Sequence, residues 1–175
     1  MNSVGKILVP IDFSEDSADG LKYAASLAQK TEAEIIVIHV AQKREADSFL
    51  NLLAVMEGCP TLNPRPGIPV DRLLREKALD LYHFIGKVVR NWEQLKIRRK
   101  VTLGNQADKI LECVKEESVD LIVLGMRKTS FFSYLVSRGN VLRMISKLPC
   151  PVLLTPFAHE PRPKSGIIGR SIFAR

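Results

Sequence analysis

The stretch KILVPIDFSEDSADGLKYAASLAQKTEAEIIVIHV, residues 6–40, decides the fold class. It opens on an apolar, β-branched run, Lys6 to Ile11, which reads as a buried strand. Ser14 follows as a candidate helix cap, and Glu15 and Asp16 suit a first helical turn, where the helix dipole favours negative charge. Leu21, Ala24, Ala25 and Ala28 then recur at i, i+3, i+4 and i+7, the stripe of an amphipathic helix. Glu34 to Val40 (EIIVIHV) is a second buried strand.

The same grammar returns later in the chain. Ile97 to Leu103 reads as a strand with one wetter face, and Gly104-Asn105 turns out of it. Ala107, Ile110, Leu111 and Val114 repeat the helical stripe, and Asp120 to Leu124 is another buried run, ended by Gly125. Val141, Leu142, Ile145 and Leu148 form a short helical pattern that Pro149 stops. Val152 to Thr155 is a last strand, and the prolines on either side of it suit an edge or an interface. Five strand-like runs interleaved with helices predict a parallel sheet covered on both faces. In such a sheet ligands sit beyond the carboxyl ends of the strands, where strand order reverses. Asp12, the His39-Val40 end and the loop after Gly125 are therefore the first places to look for a site.

Residues 41 to 95 are more than a simple crossover needs. Arg44 to Met56 has a helical pattern, and Cys59 to Pro69 is rich in proline and reads as a loop. Leu74, Ala78, Leu81, Ile85, Val88 and Trp92 then alternate spacings of four and three, which predicts a long helix. Neither half of this region can bury a core alone, so it is an insertion within one domain. The predicted organisation is a single domain over 1–156, with an exposed helical and Pro-rich insertion at about 43–69, and a basic tail over 157–175.

Composition narrows the classes. The chain has 175 residues, 46% of them hydrophobic and 26% charged, a globular balance. It has 26 Lys and Arg against 19 Asp and Glu, a formal charge of +7. No apolar run approaches the roughly 20 residues of a membrane-spanning helix, so no integral membrane segment is expected. The amino terminus lacks the pattern of a cleaved secretory signal. Cys59, Cys113 and Cys150 are too few and too far apart for a disulfide framework or a Cys-x-x-Cys metal site, and a reducing cytoplasm is the expected location. The basic residues between Lys87 and Lys100 are not interleaved with aromatics, and no zinc-finger spacing occurs. Nucleic acid is thus not the expected partner.

Three strings, ILVPIDFSEDS at 7–17, VDLIVLGMR at 119–127 and LPCPVLLTP at 148–156, together resemble the universal stress protein family in order and spacing. The resemblance covers nearly all of residues 5–156 and leaves the insertion and the tail unmatched. It implies a five-stranded parallel α/β sheet of order 3-2-1-4-5 with helices on both faces, the adenine nucleotide alpha-hydrolase-like fold. It also implies a homodimer in which the last strands, here Val152, Leu153 and Leu154, pair.

Part of that family binds ATP. By resemblance, Asp12 matches the aspartate that lies against base and ribose, and Val40 the residue whose backbone meets the adenine. Gly125 matches the first glycine of a phosphate loop written G-x-x-G, nine residues, then G-[ST]. Such glycines allow close backbone approach, positive φ and amide donors aimed at phosphate. Here the pattern breaks: Lys128 and Arg138 hold the second and third glycine positions, Gly139 holds the hydroxyl position, and Asn140 follows. Arg127, Lys128 and Arg138 offer charge to an anion instead, and Ser137 offers a cap for the last helix. Two readings follow. One is a stress-response module holding ATP or another adenine nucleotide, with Mg, through an altered loop. The other is a nucleotide-free homodimer that contacts a protein partner through its insertion or tail.

Plainer roles exist for several of these residues. Asp12 reads equally as an aid to the first helix, Gly125 as the end of a strand, and His39 as a satisfied buried histidine. No catalytic constellation is present. The chain lacks the G-x-S-x-G elbow, the Walker and Rossmann glycine loops, and any metal-ligand spacing among His39, His83 and His159. A phosphoacceptor receiver would need a lysine before the proline after the last strand, where this chain has Thr155.

Overall fold

The computed structural model describes residues 4–42, 68–125 and 146–155. Along the chain these form β1 (Lys6–Pro10), α1 (Glu15–Thr31), β2 (Glu34–Ala41), α2 (Ile68–Val88), a short 3-10 turn (Trp92–Gln94), β3 (Ile97–Leu103), α3 (Gln106–Glu117), β4 (Leu121–Gly125) and β5 (Val152–Thr155). All neighbouring strands pair in parallel, in the order β3-β2-β1-β4-β5. The resemblance implied this order. The sheet edges are β3, with its wetter face, and the proline-flanked β5.

Successive strand residues point to opposite faces, and that alternation divides the core in two. Ile7, Val9, Ile35 and Val37 face α1 and α2, where Leu21, Ala24, Ala28, Leu81 and Ile85 complete one layer. Leu8, Ile36, Ile38 and Val40 face the other way, against Ile110, Cys113 and Val114 of α3. β1 is the centre of the sheet: Ile7 stands beside Ile35 of β2 and beside Leu121 of β4. Asp120, just before β4, fastens the entry of β1. Its carboxylate accepts the Gly5 and Lys6 backbone N–H groups at 2.9 and 2.8 Å.

The α1 stripe Leu21, Ala24, Ala25, Ala28 is fully buried, and Ser14 caps the helix as its sequence suggests. Elsewhere the structure corrects the reading. α2 starts at Ile68, so the loop expected to reach Pro69 ends earlier. Proline is tolerated in a first turn, whose N–H groups have no helical acceptor. The inward stripe of α2 is Leu73, Leu81 and Ile85, extended by Val89 just past its end, while Leu74, Ala78 and Val88 are half-buried. Trp92 is not in α2. The helix ends at Val88, Asn91 takes a left-handed conformation (φ 53°), and Trp92 begins the 3-10 turn, packed edge-on against Tyr82. On α3, Cys113 is buried where Leu111 was expected to be. The helical patterns at 44–56 and 141–145 and the tail at 157–175 lie outside the described residues. No described helix is long and apolar enough to cross a membrane.

Candidate functional site

Strand order reverses between β1 and β4, because the chain leaves β1 toward β2 on one side and β4 joins it on the other. At the carboxyl ends of these strands lies a cleft. Asp12, Val40 and Gly125 all line it, together with Ser14, Gln106 and Ile110. In the β1–β2 register Pro10 stands beside Ile38. Asp12 and Val40 each lie two residues further on, which brings them level past the end of the central strand. The structure thus gathers three of the nine residues singled out from sequence. Arg127, Lys128, Ser137, Arg138, Gly139 and Asn140 lie outside the described residues.

Asp12 is held in place by the residue that caps α1. The Ser14 N–H donates to Asp12 Oδ1 at 3.0 Å, and the Ser14 hydroxyl donates to the same oxygen. Ser14 Oγ in turn accepts the Ser17 N–H at 3.2 Å, satisfying one of the helix's orphan donors. Asp12 therefore supports the helix indirectly, through Ser14. Its Oδ2 makes no hydrogen bond among the described residues, so one carboxylate oxygen is left for a ligand donor.

The turn that makes this possible is strained. Phe13 adopts φ 63°, a region costly for any residue with a Cβ. Its ring is kept there by His39 at 4.5 Å and Phe84 at 5.6 Å between centroids. His39 is a structural residue: it is buried, and its Nδ1 lies 2.8 Å from the Ile11 carbonyl, to which it donates.

Gly125 closes β4 beside Thr155 of β5. Its φ is not in the positive region, where Gly104 is the one glycine among the described residues. A Cβ at position 125 would overlap the Asp16 backbone carbonyl, so the glycine is required by the passage of α1 over β4. Close backbone approach is indeed its reason, and the approaching backbone is a helix of the same chain.

Gln106 and Ile110 are among the cleft residues that the sequence did not single out as part of a site. Gln106 is the first residue of α3, and Ile110 stands one turn later on the same face. Their signal was positional, since α3 starts directly after the carboxyl end of β3 and its Asn105 cap. Asn105 Oδ1 accepts the Ala107 and Asp108 N–H groups at 2.9 and 3.3 Å, which fixes where Gln106 stands.

At the amino ends of the strands, away from the cleft, the charges serve to tie elements together. Arg98 of β3 bonds Glu34 of β2 at 3.0 Å and Glu117 of α3 at 2.7 and 3.1 Å. The Arg98 hydrogen bond holds the Glu117 carboxyl below the ordinary carboxylate range. Burial pushes the Cys113 thiol up, away from a reactive thiolate.

The chain is similar to known proteins over most of its length. A model of the universal stress protein family matches residues 3–156. Universal stress protein MJ0531 of Methanocaldococcus jannaschii is 28% identical over 153 residues, 87% of this chain and 82% of the relative. Among solved structures, that of protein MJ0577 superposes with a TM-score of 0.59 at 22% identity, covering 88% of this chain and 96% of that one. A universal stress protein described as a complex with cAMP gives 0.54 at 14% identity, covering 89% and 98%. One from Archaeoglobus fulgidus, described as a complex with dAMP, gives 0.50 at 18% identity, covering 87% and 98%. With the sheet order, the cleft at the reversal point and a family match spanning nearly the whole chain, this protein belongs to the universal stress protein family.

Proposed function

We propose that the cleft at the β1–β4 reversal binds an adenine nucleotide and that the grip is centred on its adenosine half. The observation that carries this reading is Asp12. One of its oxygens is tied back by Ser14 and the other is left for a donor, beside apolar walls formed by Ile38, Val40, Ile110 and Leu124. A flat purine fits between aliphatic side chains, and a ribose hydroxyl is the natural donor to a carboxylate; such charge-assisted bonds are the stronger kind. Two structural neighbours described as complexes with cAMP and dAMP support the same ligand class. In the family's loop pattern Lys128 and Arg138 stand at two glycine positions, so the sequence offers cations there in place of glycines suited to wrapping a triphosphate. The protein works as a homodimer joined through β5, where Leu154 is 42% exposed on an edge strand. Among the described residues of the cleft no group is arranged as a general base, and in this reading the bound nucleotide acts as a signal.

The test is calorimetric titration of nucleotide-free protein with Mg-ATP, AMP and the Asp12→Ala variant. Saturable binding that weakens about 10- to 100-fold in the variant, with the folded state kept and only the small loss of stability that the missing Ser14 bonds bring, supports the reading. No heat and no thermal stabilisation at millimolar nucleotide would make the protein a nucleotide-free interaction module.

A further inference from the structure

Gln106 carries a buried side-chain oxygen in the cleft that finds no hydrogen-bond donor among the described residues. Its Oε1 is shielded from solvent and unpartnered, and the residue lines the same cleft as Asp12 and Val40. Native proteins pair the large majority of such atoms, so an isolated acceptor beside a ligand cleft calls for a donor that arrives with the ligand. The Asn105 cap fixes the first turn of α3, and Ile110, one turn on, is packed into the core. The Gln106 stem is therefore held on a rigid element, not on a loop.

Resting on the adenine nucleotide reading above, we infer that Gln106 is a base-selecting residue, whose Oε1 accepts a hydrogen bond from the 6-amino group of the bound purine. The chemistry favours this partner for three reasons. The apolar side chains of the cleft, Ile38, Val40, Ile110 and Leu124, supply no donor, and the Ser14 and Ser17 hydroxyls already donate to Asp12 and to the Ser14 carbonyl. A carboxamide presents an acceptor and a donor side by side, the fork that pairs with the amino group and adjacent ring nitrogen of adenine. A 6-oxo purine would place an acceptor against Oε1, which leaves two acceptors facing each other in a dry site. Because Oε1 is unpaired in the free protein, the bond to the amine costs no competing bond, and selectivity follows from the amine alone.

The experiment compares AMP with purine riboside 5′-monophosphate, which lacks the amine, and with IMP, which carries an oxo group, on wild type and on Gln106→Met. Wild type is expected to prefer AMP over the other two by about tenfold. Gln106→Met should bring the ratio close to one by weakening AMP alone, and its melting temperature without ligand should equal or exceed that of wild type, since an unpaired buried acceptor has been removed. An AMP preference that survives in Gln106→Met overturns the role of Gln106 while the nucleotide reading stands. A clear fall in the melting temperature of the ligand-free variant shows a protein partner for Oε1 and also overturns it. No binding of any of the three by wild type overturns the role together with the nucleotide reading.

Discussion

Gly20 and Gly125 face each other where α1 crosses β4: a Cβ on Gly20 would stand 2.8 Å from the Gly125 nitrogen, inside any ordinary contact. A Cβ on Gly125 would meet the Asp16 carbonyl even more severely. The two backbones touch without side chains between them, and this contact sets how far α1 sits from the sheet. Gly125→Ala is therefore expected to destabilise the protein by about 3 kcal/mol or more, because α1 must lift off β4. Gly20→Ala should cost about 1–2 kcal/mol, since the strain is milder and alanine favours the helix by about 1 kcal/mol. Urea unfolding midpoints for the two variants give the ranking, and equal costs would contradict it.

Phe13 separates backbone strain from side-chain packing. Replacing it with glycine or alanine removes the same ring contacts with His39 and Phe84, but only glycine accepts φ 63° without penalty. Both variants should be less stable than wild type. Phe13→Gly should be the more stable of the two by about 1 kcal/mol, the usual cost of a left-handed residue with a Cβ. Thermal melts of the pair decide it; alanine equal to glycine would mean the turn relaxes when the ring is gone.

Arg98 and Glu117 make stability depend on pH in one direction. The folded Glu117 carboxyl lies below the ordinary glutamate value of 4.5, chiefly through the Arg98 hydrogen bond. The stabilisation it brings is therefore fully present above that value and is lost as pH falls through the lower folded one. Arg98→Ala should cost about 0.5–1 kcal/mol near neutral pH, the scale of partly exposed ion pairs. The gap between variant and wild type should shrink in unfolding experiments at about pH 3. A gap that stays constant would assign the effect to packing of the arginine stem.

Leu154 tests the assembly. A charge on an exposed sheet edge opposes strand pairing between molecules, so Leu154→Asp should shift the protein from dimer to monomer in sedimentation velocity. Its far-UV circular dichroism should not change. A wild type that sediments as a monomer would remove β5 as an interface.

The strands were legible because buried parallel strands are continuous apolar runs, and Ile97–Leu103 and Val152–Thr155 have the same bounds in sequence and structure. The stripe of α2 was harder. Leu73-Leu74 and Val88-Val89 are doublets, and periodicity cannot say which member of each turns inward; packing against β1 and β2 does. At the site, Asp12 and Val40 were visible as strand ends. The role of Gly125 was hidden because its partner, Asp16, is more than a hundred positions away in the chain, and a glycine before a loop looks the same whether helix or phosphate approaches it. Gln106 was silent for a related reason. A glutamine opening a helix is ordinary, and only the surroundings of its oxygen make it unusual.

The clasp of Asp120 on Gly5 and Lys6 also has a consequence in time. It joins residues 115 and 114 positions apart, and β4, which completes the central strand, comes directly after it. The β1–α1–β2 unit therefore leaves the ribosome with one side of β1 open. At synthesis rates of about 5–20 residues per second, that edge waits on the order of ten seconds for its neighbour. Such distant pairing slows folding and exposes an apolar strand to other chains. In this protein the interval between translating Lys6 and translating Asp120 is when aggregation competes with the fold.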